Sequence, residues 1–187
     1  MIVRITGHTR GLGESLFNHF KSLGHNVQGF SLRTGYDINS QQDRQKIIAE
    51  SKHADIFVNN AWTFDSGQTE LLKEIIQCWE GDKTKKICNI SSKACFNLKD
   101  VNEDLERYGA NKRDQNKIIE DRIRIYGPHI LNVILGSTDT RLSASFEGNK
   151  INPNDLSKWI VDLLLCDEMY FQSVTVDAKG LDYKPKD

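Results

Sequence analysis

Proline is scarce, with three in 187 residues, which excludes collagen-like and proline-rich architectures. Cysteine is scarce too, and Cys78, Cys88, Cys95 and Cys166 contain no C-x-x-C pair. That spacing points away from a metal site and toward four separate thiols in a reducing compartment. No sign of charge is in excess: 25 Lys and Arg stand against 26 Asp and Glu, for a net charge of −1 and a pI near 6.5. Gripping a phosphate backbone calls for a basic surplus, so nucleic acid is disfavoured as a partner. Long hydrophobic runs are missing as well. Asp162 splits Trp159-Ile160-Val161 from Leu163-Leu164-Leu165-Cys166, far short of the roughly 20 apolar residues of a membrane span. Met1-Ile2-Val3-Arg4-Ile5 reads as a strand, which leaves no room for a signal peptide. The expectation is a cytoplasmic protein with neither a metal nor a membrane.

What is present is a regular alternation. Hydrophobic residues make up 38% of the chain, and its length suits one domain with a sizeable core. Short apolar runs at 2–5, 27–32, 55–58, 87–90, 130–135 and 174–176 read as strands, and 35–38 adds a very short third strand. Between them lie helical patterns. Leu12, Leu16, Phe20 and Leu23 share one face of a helix over 11–23, with Gly24 where a C-cap belongs. Residues 40–52 read as a second helix. In 70–79, Leu71, Leu72, Ile75, Ile76 and Trp79 form a stripe. A long charged helix follows over 102–126, and Pro153 opens one through Leu165. Strands alternating with helices predict right-handed βαβ crossovers and a mostly parallel sheet covered on both faces. The predicted fold is therefore α/β, a doubly wound Rossmann sheet in a single domain over 1–180, followed by a polar tail over 181–187.

Thr6-Gly7-His8-Thr9-Arg10-Gly11-Leu12-Gly13 joins the first strand to the first helix. Backbone can approach a pyrophosphate here, because glycine removes the Cβ and the helix start offers free N–H groups. Three glycines alone would be a weak signal; the strand before and the helix after strengthen it. Further along stand Asp37-Ile38, Asn59-Asn60-Ala61, Asn89-Ile90-Ser91-Ser92, Tyr108-Gly109-Ala110-Asn111-Lys112, Leu135-Gly136 through Thr140, and Val176-Asp177-Ala178-Lys179-Gly180. In this order the motifs resemble those of the short-chain dehydrogenase/reductase family along essentially the whole chain.

That resemblance implies an oxidoreductase with a Ser-Tyr-Lys site. Tyr108 would protonate a carbonyl oxygen as hydride arrives, Lys112 would also hold the nicotinamide ribose, and Ser92 would orient the same oxygen. Ser91 is the weaker candidate. Tyr108 and Lys112 lie four apart, hence on one helix face, and an ammonium there is expected to lower the phenol's pKa. The resemblance assigns cofactor contacts to Gly7, Thr9, Arg10, Gly11, Leu12 and Gly13 in the loop. It adds Arg33, Asp37 and Ile38, then Asn60, Ala61 and Thr140, besides Tyr108 and Lys112. Asn60 would tie adjacent strands behind the cofactor. Arg10 and Arg33, with no carboxylate at Ser31-Leu32-Arg33, favour NADP(H) over NAD(H), since guanidinium suits a 2′-phosphate.

Four departures qualify this. Trp62 stands in the family's glycine place, and Leu135 stands in its proline place. An ungapped count puts Asp65 where the family keeps a catalytic asparagine. The segment 137–152, which would cover the substrate, is short. The long helix is polar where relatives dimerise, and the resemblance implies a homodimer or homotetramer. Two readings follow: a reductase of small carbonyl compounds, or alcohol dehydrogenase in reverse; and a non-catalytic NADP(H)-binding regulatory module.

Overall fold

The computed structural model describes residues 1–96, 102–122, 127–140 and 148–179. Six parallel strands form one sheet in the order β2-β1-β3-β4-β5-β6. They are β1 (Ile2–Thr6), β2 (Asn26–Phe30), β3 (Ile56–Asn59), β4 (Lys86–Ser92), β5 (His129–Leu135) and β6 (Ser173–Val176). Helices α1 (Gly11–Ser22) and α5 (Pro153–Leu165) cover one face, while α2 (Gln41–Ser51), α3 (Gly67–Cys78) and α4 (Glu103–Arg122) belong to the other.

Alternation along the strands builds the two cores. Val3, Ile5, Ile56, Val58, Cys88, Ile90, Leu131 and Val133 point to one side, where Leu12, Leu16 and Phe20 of α1 meet Leu156, Ile160 and Leu164 of α5. Phe57 and Ile87 point to the other, against Ile47 of α2, Leu71, Leu72 and Ile75 of α3, and Ile119 of α4. Strands buried on both faces carry hydrophobic runs, and these do. Local chemistry sets the helix starts: Ser40 Oγ accepts from Asp43 N at 3.3 Å, and Asn152 Oδ1 accepts from Asn154 N at 2.8 Å ahead of Pro153.

Chain order reverses at β1. The first crossover carries the chain outward to β2, and the second returns past β1 to β3. The carboxyl ends of β1 and β3 therefore diverge into a crevice, the usual ligand position in such sheets.

The sequence pattern erred in places. Residues 35–38 form no strand. Residues 32–34 make a single 3₁₀ turn closed by Gly35 at φ +85°, and Asp37 and Ile38 follow as irregular backbone. The second strand ends at Phe30, two residues short of the expected limit. Helix α3 starts at Gly67, earlier than its apolar stripe suggested. The polar tail, Gly180 and the middle of the proposed cover, 141–147, lie outside the described residues, as do 123–126 of the long helix.

Candidate active site at the carboxyl ends of the strands

The glycine loop rises from β1 into α1. Gly7 (φ +72°) and Gly11 (φ +57°) hold left-handed backbone that side-chain-bearing residues rarely adopt. Gly13 serves another purpose: a Cβ there would collide with the Gly7 carbonyl oxygen, so the helix can lie against its own loop only without one. The first three N–H groups of α1, at Gly11, Leu12 and Gly13, have no intrahelical acceptor. Leu12 turns its side chain into the core, and half-buried Thr9 remains in the loop.

Thr6 and Asn60 brace this loop from beneath. Thr6 Oγ1 accepts from the N–H groups of Asn60 and Ala61, both at 3.0 Å. Asn60 Nδ2 donates to Thr6 O at 3.0 Å and to Gly7 O at 3.4 Å, so its side chain ties the end of β3 to the end of β1. On the far side, the Thr140 methyl would lie 3.2 Å from a Cβ at Gly11, which brings the segment after β5 over the start of α1. The cradle is thus open to a diphosphate in shape and in donors, and it fits the dinucleotide expected from the sequence.

Arg10 is the N-cap residue of α1 but does not cap it with its side chain, and Arg33 sits in the turn after β2. Both are exposed, and neither makes an ion pair with the described residues. Asp37 Oδ1 accepts from Asn39 N at 2.9 Å, which commits that oxygen to a local turn. Ile38 is buried in the second core, and its carbonyl accepts from Arg44 Nη1 at 3.0 Å.

Ser92, Tyr108 and Lys112 converge. Ser92 ends β4, and its hydroxyl accepts from Ala94 N at 3.2 Å. Its side chain is close enough to Tyr108 to hold down that phenol's pKa. Gly109 makes this approach possible, because a Cβ there would lie 2.5 Å from Ala94 O. Ser91 faces the other way and donates to Asn116 Oδ1 at 3.0 Å, which makes it a structural residue. Lys112 is 2% exposed, and its Nζ donates to Gln68 Oε1 and to Ile90 O, both at 2.7 Å. It also lies 5.5 Å from the Tyr108 ring centre.

The electrostatics differ from the sequence-based expectation. Burial raises the Tyr108 pKa, only partly opposed by Ser92. Burial also pushes Lys112 down to about 7. The ammonium was expected to draw the phenol toward neutrality; desolvation outweighs that influence for both groups. At neutral pH Tyr108 is therefore a protonated phenol.

No family model matches the sequence, and no curated protein matches it either. Solved structures do. A 3-alpha-hydroxysteroid dehydrogenase from Pseudomonas, complexed with NADH, superposes with a TM-score of 0.76 at 16% identity, covering 95% of each chain. A short-chain dehydrogenase from Burkholderia cenocepacia in complex with NADP gives 0.77 at 16% identity, covering 93% of this chain and 86% of that one. A short-chain dehydrogenase/reductase from Vibrio parahaemolyticus gives 0.77 at 18%, covering 96% and 100%. The chain has the short-chain dehydrogenase/reductase fold.

Within that fold, Asp65 is not where the ungapped count put it relative to the site. Its carboxylate is exposed, pairs with Arg107 at 3.0 Å and accepts from Asn39 Nδ2 at 3.3 Å. Gln68, on the first turn of α3, is the side chain that meets Lys112. Sequence reasoning missed it because the apolar stripe placed the helix start at 70. Also missed was a buried ladder of side chains: Asn59, Asn89 and Asn132 stand in register on β3, β4 and β5 and are linked at 3.0 Å per step. Three asparagines at strand positions were legible, but their register was not. No helix among the described residues is long and apolar enough to cross a membrane.

Proposed function

We propose that this protein is an NADP(H)-dependent oxidoreductase of the short-chain dehydrogenase/reductase type, interconverting a small carbonyl compound and its alcohol. The observation that carries the reading is the convergence of Ser92 and Tyr108, with Lys112 Nζ 5.5 Å from the phenol ring centre, at the same end of the sheet as the glycine cradle. The loop from Gly7 to Gly13, Asn60, Ala61, Thr140, Asp37 and Ile38 would hold the dinucleotide, with Arg10 and Arg33 on a 2′-phosphate. When bound, the reduced nicotinamide supplies a hydride to the carbonyl carbon. Tyr108 gives its phenolic proton to the carbonyl oxygen, and Ser92 orients that oxygen and stabilises charge developing on it. Lys112 supports the ring and reaches the cofactor ribose. Two of its protons face Gln68 and Ile90, and the ammonium keeps a third for the ribose.

That same engagement favours a second reading, a regulatory module that binds NADP(H) without turnover. A screen of NADPH oxidation against varied aldehydes and ketones separates the two. Turnover that disappears in Tyr108→Phe supports the enzyme; tight NADPH binding with no turnover on any carbonyl supports the module. The proposal includes one domain over 1–180, a cytoplasmic location and a homodimer or homotetramer, the last to be checked by light scattering.

A further inference from the structure

The segment leaving β3 carries an aromatic ring to the reacting phenol. Trp62 meets Tyr108 edge-on, with ring centres 4.8 Å apart and planes at 81°. On its other side Trp62 meets Phe64, also at 4.8 Å. Phe64 is 51% exposed, so a continuous aromatic wall runs from the proton donor out to solvent. Contiguous apolar surface of this kind, unlike a single exposed ring, marks a ligand-binding face.

The indole N–H is the second observation. Trp62 Nε1 is shielded from water and has no hydrogen-bond partner among the described residues. Buried indole donors normally find an acceptor. The packing tryptophan of this chain does so: Trp79 Nε1 donates to Lys52 O at 3.2 Å. A donor left unmatched beside the reacting phenol is satisfied most simply by an acceptor that the ligand brings.

Charge narrows the class further. The ionic groups flanking the wall cancel in pairs: Asp65 with Arg107 at 3.0 Å, and Lys93, next to Ser92, with Asp177 at 2.6 Å. Neither pair leaves a free charge to recognise a carboxylate or phosphate on the substrate. We infer that Trp62 determines specificity, and that the site takes an uncharged aryl ketone or aldehyde whose ring lies along Trp62 and Phe64 and carries a hydrogen-bond acceptor for the indole. This rests on the oxidoreductase reading above.

The test uses the full chain loaded with NADPH and three ketones: a methoxyacetophenone, acetophenone, and cyclohexyl methyl ketone as the saturated match. The wild-type protein is expected to prefer acetophenone over the cyclohexyl ketone in kcat/KM. In Trp62→Leu that preference should collapse. Trp62→Phe keeps a ring but loses the donor, and should lower the methoxy-to-bare acetophenone ratio by roughly 3–10-fold, the scale of one neutral hydrogen bond. Parallel loss on all three ketones, or an unchanged preference in both variants, overturns the inference while leaving the reductase intact. If the wild-type protein binds NADPH but turns over no ketone, the reductase reading fails instead. Calorimetric binding of methoxyacetophenone to the NADPH-loaded protein then decides the inference: binding lost in Trp62→Leu upholds it, and no binding by wild type overturns it. Trp62→Phe guards against a folding defect in the leucine variant, and thermal melts are compared for both.

Discussion

Replacing Lys112 with methionine is expected to flatten the protein's stability between pH 7 and 8.5. The buried ammonium has its pKa pushed from 10.5 down to about 7. Between those values the unfolded chain holds a proton that the folded chain has released, so the stability of the folded state rises with pH. Each fully unmatched proton contributes about 1.4 kcal/mol per pH unit. Starting half-titrated at pH 7, Lys112 should add about 1.6 kcal/mol by pH 8.5, equivalent to roughly 3–6 °C in a chain of this length. The other shifted groups are common to both proteins, so they cancel in the comparison. His25 and His129 are lowered by burial, so their contribution is largely complete near pH 7. Cys88, raised to about 12, and Cys95, also raised by burial, act with opposite sign. They keep their protons in the folded state, so they cost stability as pH climbs past the ordinary thiol value. Urea unfolding of the cofactor-free protein at half-unit pH steps measures the slope. Wild type should gain stability across the window and Lys112→Met should not. Parallel curves for the two proteins would show that the ammonium is solvated and that the burial argument is wrong.

Arg33→Asp should weaken NADPH binding and shift preference toward NADH, because a 2′-phosphate would meet a carboxylate; equal wild-type affinities for both cofactors, by fluorescence titration, would refute the assignment. Tyr108→Phe should cut turnover by about 10²–10⁴-fold with little change in cofactor affinity, a split that steady-state kinetics reads directly. With the phenol's pKa raised by burial, carbonyl reduction should hold through neutral pH, whereas alcohol oxidation should keep rising above pH 9; an oxidation optimum at pH 7 would contradict this. Gly13→Ala should destabilise by about 1–3 kcal/mol despite alanine's helix preference, since the new methyl meets the rigid Gly7 carbonyl; an unchanged melting temperature would count against that collision.

The parts of this fold legible in the sequence are those decided by local pattern. Alternating strands and helices gave the doubly wound sheet, and the Thr6-to-Gly13 loop gave the switch point, because both depend on neighbours within one turn or one strand. Helix α3 was misjudged for a local reason too: its first turn, Gly67-Gln68-Thr69, is buried yet polar, so hydrophobic periodicity could not register it. Asp65 was assigned by counting, and counting fails where an irregular segment separates β3 from α3. The pKa ordering of Tyr108 and Lys112 was out of reach for a different reason. Spacing places the two groups on one face, but the desolvation that governs them comes from tertiary burial, which spacing along one helix does not report.

The polar ladder explains why that desolvated lysine stays in place. Asn59 Nδ2 donates to Gln68 O at 3.1 Å, and Gln68 Nε2 donates back to Asn59 O at 2.9 Å, locking the start of α3 to the end of β3. Asn89 Nδ2 reaches Gln115 Oε1 at 3.2 Å, and Asn132 Nδ2 reaches Asn116 Oδ1 at 2.9 Å, which anchors α4 over β4 and β5. A one-residue slip of either strand pair would turn its asparagine to the apolar face and leave it unpaired, so the ladder also enforces register. Both helices that meet at Lys112 are therefore fixed by hydrogen bonds from the same row of strand positions. Loss of one asparagine would tilt α4 and lengthen the Ser92–Tyr108 contact before it unfolded the sheet. Asn132→Leu, whose partner Asn116 also holds Ser91, should thus impair turnover more than cofactor binding. If its kcat matched wild type while its stability fell, the ladder would serve the fold alone and not the positioning of Tyr108.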